Sequence, residues 1–156
     1  MVLREPVAED FAWIVERHGA IYAEEYAWDP TFEELCARIV DDFVAHPDPR
    51  QHAWIAELDG EPAGCVICVV KDEWTAQLRL LLVEPSARGK GVGSALVNEC
   101  IRFAREGGFK ELMLWTNDVL VDARRVYERA GFELIDEEPH HSFGHDLVGQ
   151  TWRLRL

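Results

Sequence analysis

The chain has little positive charge. Among its 156 residues, 16 Lys and Arg stand against 29 Asp and Glu, giving a formal net charge of −13. Binding to nucleic acid depends on clustered Lys and Arg that neutralise phosphates, so we expect no nucleic-acid partner. An acidic surface can serve solubility, or it can attract a cationic amine. The net charge does not decide between these two interpretations. An anionic ligand would need a local basic patch.

The chain also lacks long apolar runs. None approaches the ~20 residues that a membrane-spanning helix needs. The first residues, Met1 to Pro6, lack the basic and then apolar pattern of a signal peptide. We therefore expect no membrane partner and a cytoplasmic location. There is no internal repeat or linker, and the length suits a single domain over residues 1–156.

Cysteine is scarce and does not form a metal motif. Cys65 and Cys68 have CxxC spacing, but they lie in an apolar run typical of a strand, where residues three apart face opposite sides. No second CxxC or spaced His pair completes a zinc site. We expect four reduced, mostly buried thiols, including Cys36 and Cys100, and no metal.

Hydrophobic periodicity predicts strands flanked by helices, an order typical of a three-layer α/β arrangement around one mixed sheet. Thr31 and Glu34 have the form of a capping box at the start of the second helix. Strands are predicted at 2–4, 53–58, 63–70, 75–83, 112–115, 132–135 and 152–156, and helices at 7–26, from Thr31 to the prolines after His46, from the glycine-rich segment to Gly107, and at 119–130.

A glycine-rich turn, Arg88-Gly89-Lys90-Gly91-Val92-Gly93, lies between a predicted strand and an amphipathic helix. Glycines let backbone N–H groups approach an anion, and the helix adds its positive N-terminal end. A Walker loop does not fit because Lys90 precedes Gly91, and a dinucleotide fingerprint does not fit because the glycines are evenly spaced. The alternative is a turn without a ligand. The preceding strand and the flanking cations favour a diphosphate ligand.

Two motifs in this sequence resemble those of the GNAT superfamily of N-acetyltransferases. Arg88, Gly91 and Gly93 match the family's cofactor loop, and the segment 123–132, with Tyr127 and Gly131-Phe132, matches its downstream signature. The resemblance covers essentially the whole chain. It implies a three-layer α/β/α fold whose central mixed, mostly antiparallel sheet is splayed at the cofactor site.

The resemblance also implies acetyl-CoA as acyl donor, with its pyrophosphate on the backbone of residues 88–94 and its pantetheine arm along Leu82 and Val83. Many members carry Asn where this chain has Leu120, and Asn117 is the candidate substitute. The expected cofactor-binding residues are Leu82, Val83, Arg88, Gly89, Lys90, Gly91, Val92, Gly93, Ser94, Asn117 and Tyr127. A closer resemblance, at 115–118 and 137–144, is to the acetyltransferase halves of MarR-type/GNAT fusion proteins.

The implied function is direct acetyl transfer to the primary amine of a small, amino-acid-like acceptor. The resemblance places Tyr127 near the cofactor sulfur as general acid, and the alternative is that its ring only packs there. Glu25 is the predicted base or ammonium ligand, with Glu84 as the other candidate. The alternative function is a non-catalytic acyl-CoA sensor or regulatory domain.

The acceptor site is predicted between the first two helices and beside the last two strands. Tyr22 and Tyr26 are one helical turn apart and, with Glu25, form the expected wall. His140 and His141 are predicted in a loop, where substrate contact or proton relay is preferred to metal binding and simple solvent exposure is the alternative. Exposed strand edges in this fold would permit a homodimer.

Overall fold

The computed structural model describes residues 1–156, which form seven strands and four helices. The sheet has the order β1-β2-β3-β4-β5-β7-β6, and only β4 and β5 pair in parallel. The predicted mixed, mostly antiparallel sheet is therefore confirmed. The strands are β1 (Val2–Arg4), β2 (His52–Leu58), β3 (Glu61–Val70), β4 (Thr75–Val83), β5 (Glu111–Asn117), β6 (Glu133–Ser142) and β7 (His145–Arg155); the helices are α1 (Ala8–Tyr26), α2 (Pro30–Ala45), α3 (Val92–Glu106) and α4 (Val121–Ala130).

The helices cover both faces of the sheet, which gives the predicted three layers. Alternate residues of β2 separate the two cores: Ile55 packs with α1 and α2, whereas Trp54 packs with α3 and α4. Burying one such large apolar side chain stabilises the fold by about 1.5–3 kcal/mol. Cys65 and Cys68 fall into different cores in the same way, and all four cysteines are free and buried, as expected.

The start of α2 differs from the prediction. The helix begins at Pro30, and its N-cap is Asp29, whose carboxylate accepts a hydrogen bond from the Thr31 backbone N–H at 3.0 Å. The capping box at Thr31 is therefore wrong. Proline is favourable at the first helical position because its φ is preset and it lacks an N–H that would have no intrahelical partner, so the helix starts one residue earlier.

The histidine segment is a hairpin and not the predicted loop. Strands β6 and β7 pair from Glu133 to Ser142, and only Phe143-Gly144 connects them. Both connecting residues have positive φ, 58° and 83°, the conformation of a tight two-residue turn. Strand β6 lies at the exposed edge of the sheet, where backbone pairing to β7 does not require alternating apolar residues. The polar sequence of residues 136–142 therefore did not predict a strand.

Strands β4 and β5 diverge where the candidate site lies. They pair only from Thr75–Gln77 to Glu111–Met113, and no further pairing joins them up to Val83. Next to this gap the β3–β4 register shifts, and Leu80 takes a φ of 54°, which marks a bulge in β4. The splayed sheet expected from the resemblance is thus present. No helix combines the length and apolarity needed to cross a membrane.

Candidate active site

The glycine-rich turn has the backbone of an anion cradle. A short 3-10 turn at Pro85–Ala87 leads into it, and Gly89 and Gly91 have φ values of 77° and 80°. A Cβ at either glycine would meet nothing within 4 Å, so positive φ and not crowding favours glycine here. Gly91 is the N-cap of α3 and offers no side-chain cap. The N–H groups of the first turn of α3 therefore remain available to an anion.

A groove of about 640 Å³ runs from this turn along the end of β4, where β4 has separated from β5. Most of the predicted cofactor-binding residues line it together: Leu82, Val83, Arg88, Gly89, Gly91, Val92, Gly93 and Ser94. Lys90 is exposed and lies outside the lining, although it flanks the turn. Asn117 and Tyr127 also lie outside this groove and line a neighbouring cavity.

The groove carries positive charge that sequence reasoning missed. Arg125 and Arg129 of α4 line it, as does Asp122, which lies 3.8 Å from Arg125. Their i,i+4 spacing places both on one face of the helix, a signal that was present in the sequence. Together with Arg88, they form the local basic patch that an anionic ligand needs in so acidic a chain.

Arg88 already has a carboxylate partner. Its Nη1 and Nη2 donate to Glu25 Oε1 and Oε2 at 2.5 and 2.9 Å, which ties α1 to the glycine turn. This hydrogen bonding raises the pKa of the Arg88 guanidinium. The other acidic candidate also has a partner, since Glu84 pairs with Arg17 at 2.6 Å.

A smaller cavity of about 130 Å³ lies between the diverging strands and is lined by residues of both β4 and β5. Tyr22, Leu81, Leu120 and Ala123 line both spaces, so the two meet where the strands diverge. Aromatic rings form much of its wall: Tyr22 stacks on Phe32 with centroids 4.7 Å apart, and Trp28 stacks on Phe143 at 4.8 Å.

Tyr127 lines the smaller cavity from α4 and is only 5% exposed. Its ring packs edge-on against Phe132, with centroids 5.8 Å apart. Burial raises the pKa of Tyr127, since a phenolate would lose its hydration there. The hydroxyl therefore keeps its proton at neutral pH and can act as a hydrogen-bond donor or an acid.

The structure brings only some of the predicted acceptor residues together. Tyr22 and Tyr26 are neighbours, with centroids 5.6 Å apart, and both line the groove with Glu25. His140 lies close to the smaller cavity, because its Nε2 is 2.7 Å from Oδ1 of the lining residue Asn117. His141 is exposed and pairs with Asp146 at 2.9 Å, as adjacent strand residues face opposite sides.

His18 of α1 lines the smaller cavity and is not among the predicted site residues. It is 2% exposed, and its Nδ1 donates to the Ile14 carbonyl at 2.7 Å, which leaves Nε2 unprotonated and without a partner. Desolvation lowers the pKa of His18 to about 4. The signal in the sequence was a histidine at a helical position that the apolar spacing of α1 predicts to be buried.

Arg79 is the second cavity residue that was missed. It lines the smaller cavity from β4, beside the bulge at Leu80. The signal in the sequence was a single charged residue in a strand that has no other charge. No group of three or more His, Cys, Asp or Glu side chains is placed to hold a metal ion.

Comparison with known proteins gives consistent matches. The model of the acetyltransferase (GNAT) family matches residues 11–132. The N-acetyltransferase C1271.07c of Schizosaccharomyces pombe is 29% identical over 140 residues, covering 85% of this chain and 80% of that protein. The N-acetyltransferase MJ1207 of Methanocaldococcus jannaschii is 31% identical over 86 residues, but the match spans only 38% of its length.

Among solved structures, yncA of Salmonella typhimurium, determined with its cofactor acetyl-CoA, superposes with a TM-score of 0.79. The alignment covers 100% of this chain and 94% of that one at 19% sequence identity, so it shows a shared fold.

Proposed function

Because the chain belongs to the acetyltransferase (GNAT) family, we propose that it transfers the acetyl group of acetyl-CoA directly to the primary amine of a small, amino-acid-like acceptor. One observation carries the proposal. The groove at the anion cradle and a smaller cavity share lining residues where β4 and β5 diverge, so a donor in one and an acceptor in the other can meet there. Such positioning supplies much of the rate enhancement of a two-substrate reaction.

The groove residues fit the donor. Backbone N–H groups of residues 88–94 would hold the pyrophosphate, Leu82 and Val83 would lie along the pantetheine arm, and Arg88, Arg125 and Arg129 would balance its charge. Bound acetyl-CoA supplies the thioester carbonyl that the amine attacks. Lys90 flanks this site as a further cation.

The chain's own residues would move the protons. Tyr127 keeps its hydroxyl proton at neutral pH and would give it to the departing sulfur, while a backbone N–H near Val83 would stabilise negative charge on the thioester oxygen. Asn117, fixed by His140, lines the same cavity as Tyr127. It would replace the Asn that many family members have at the position of Leu120.

Glu25 would take the amine proton or hold the ammonium, with Tyr22 and Tyr26 beside it. Both oxygens of its carboxylate accept hydrogen bonds from Arg88, which occupies the positions that an amine would approach. Arg88 would therefore have to turn from Glu25 to the pyrophosphate first, which makes donor binding precede deprotonation. His141, exposed beside the hairpin, would meet only the outer part of an acceptor.

Calorimetric titration with acetyl-CoA, followed by thiol release in the same samples against amines and amino acids, tests the proposal. Binding with acceptor-dependent release of CoA is the expected result. Binding without release against any acceptor would favour the sensor function, and absence of binding would overturn the site assignment. The closer likeness to the acetyltransferase halves of MarR-type fusion proteins stays a prediction, as do the cytoplasmic location and the homodimer.

A further inference from the structure

The smaller cavity contains an unpaired cation. Arg79 is partly buried, yet it forms no salt bridge or hydrogen bond within the protein. The other partly buried arginines all have oxygen partners: Arg4, Arg17 and Arg153 pair with carboxylates, and Arg50 and Arg124 donate to backbone carbonyls. Arg79 is the exception, and it points to a ligand because a half-desolvated guanidinium without an anion is costly.

The surroundings of Arg79 leave room for one negative group. No Asp or Glu lines the cavity, although the whole chain carries a net charge of −13. Asp42 on α2 acts on Arg79 only beyond ion-pair distance, and burial lowers the pKa of the guanidinium. Cys36, also in the lining, is neutral, since burial raises the pKa of its thiol to about 12.

The cavity lining contains a second polar group without a partner, and this one is a hydrogen-bond acceptor. Nε2 of His18 is a buried lone pair without a donor. The remaining polar lining is occupied or neutral: Asn117 binds His140, and the hydroxyl of Tyr127 keeps its proton. The site thus offers a cation for a carboxylate and an acceptor for an N–H or O–H group.

The cavity is small and is not closed. Its volume is about 130 Å³, and it shares Tyr22, Leu81, Leu120 and Ala123 with the larger groove. The rings of Tyr22, Trp28, Phe32 and Phe143 favour an apolar body. A protein N-terminus would bring an amide where a free amino acid brings its carboxylate, so Arg79 favours the free amino acid.

We propose that the acceptor carries a carboxylate as well as its amine, and that Arg79 binds this carboxylate while the amine faces the gap between β4 and β5. A free α-amino acid with a small or apolar side chain is the simplest such molecule. This inference rests on the proposed acetyl transfer, and it adds a substrate class and a specificity-determining residue.

The test compares amino acids with the amines that remain when the carboxylate is removed. L-alanine is paired with ethylamine, L-valine with isobutylamine, and L-leucine with 3-methylbutylamine. Release of CoA from acetyl-CoA is measured for each member of a pair. We expect kcat/KM to be about 10- to 100-fold higher for the amino acid in at least one pair, the range for a hydrogen bond to a charged group. Equal values within every pair would overturn the inference and leave the proposed function intact.

Variants then assign the effect to Arg79. Arg79→Gln should lower kcat/KM for the amino acid towards that for the matched amine, so that the preference for the carboxylate disappears, and Arg79→Lys should restore part of it. Arg38→Gln is the control, because Arg38 is an exposed arginine of α2 without a partner. A preference that survives in Arg79→Gln would contradict the role of Arg79.

A binding measurement separates this inference from the proposed function. The same pairs are titrated calorimetrically into protein saturated with CoA, which needs no turnover. Tighter binding of an amino acid than of its amine, lost in Arg79→Gln, would support the carboxylate site even if no acceptor were acetylated. Equal or absent binding of both members in all pairs would overturn it.

Discussion

Arg88 and Glu25 form a two-point ion pair at the mouth of the groove, with N–O distances of 2.5 and 2.9 Å between residues 63 positions apart. One partner comes from the glycine turn and the other from the end of α1. In the proposed function, Arg88 would bind the pyrophosphate of the donor and Glu25 would bind the amine of the acceptor. Without ligands, the two residues bind each other. In that function, this one contact would couple binding of the donor to activation of the acceptor.

Glu25→Gln is expected to strengthen binding of acetyl-CoA and to slow the reaction. Arg88 would no longer have to leave a carboxylate, and an ion pair that is partly exposed contributes up to about 1 kcal/mol, or about fivefold in Kd. The loss of the base lowers kcat. Calorimetry and thiol release measure the two effects, and Glu24→Gln, at an exposed neighbour, is the control. An unchanged kcat would remove Glu25 from the chemistry.

Gly91→Glu is expected to abolish binding of acetyl-CoA, because it adds bulk and negative charge where the phosphates approach. Gly60→Glu is a matched control: Gly60 has a φ of 79° against 80° at Gly91, and neither Cβ would have a neighbour within 4 Å. Both variants should lose about 1 kcal/mol of stability from the strained backbone. If folded Gly91→Glu bound acetyl-CoA like Gly60→Glu, the glycine turn would not be the phosphate site.

Tyr127→Phe is expected to lower kcat by about 10²-fold or more and to leave the Kd for acetyl-CoA nearly unchanged. The ring keeps its packing against Phe132, and only the proton donor is lost. Since burial raises the pKa of Tyr127, its ionisation should not limit the rate anywhere near neutral pH. Steady-state kinetics and calorimetry measure the two quantities. Activity at the wild-type level would assign Tyr127 to packing alone.

The buried imidazole of His18 is expected to make the protein sensitive to acid. Its pKa is about 4 in the folded state, below the ordinary value near 6.5, so between these values the unfolded chain binds a proton that the folded protein does not. Stability therefore falls as the pH drops through this window, with a limiting slope of about 1.4 kcal/mol per pH unit.

Urea unfolding at a series of pH values measures this slope. His18→Gln removes the titrating group, so its free energy of unfolding should change less between pH 6.5 and 4 than that of the wild type. The comparison of slopes cancels the contribution of carboxylates such as Asp10, whose pKa the hydrogen bond from Arg4 lowers. Parallel profiles would show that His18 does not titrate as a buried group.

The sequence was sufficient for the elements with strong local signals. Helices α1, α3 and α4 follow from their apolar spacing, and the hairpin at Asp59-Gly60 follows from a dipeptide that tolerates positive φ, here 52° and 79°. It was insufficient where a residue's partner lies outside its own segment. Pairing with β7 makes the polar segment 136–142 a strand, and Pro30 shifts the start of α2.

The candidate site divides in the same way. The amino-acid sequence by itself determined the order of the elements, the glycine turn and the family motifs, because periodicity and backbone conformation are encoded within a few neighbouring residues. Only the tertiary structure joined Glu25 to Arg88, left Arg79 and His18 without partners in one cavity, and placed Arg125 and Arg129 in the same groove as the turn. Contacts between distant segments depend on how helices and strands pack, and packing sets burial, which determines what each charge can bind.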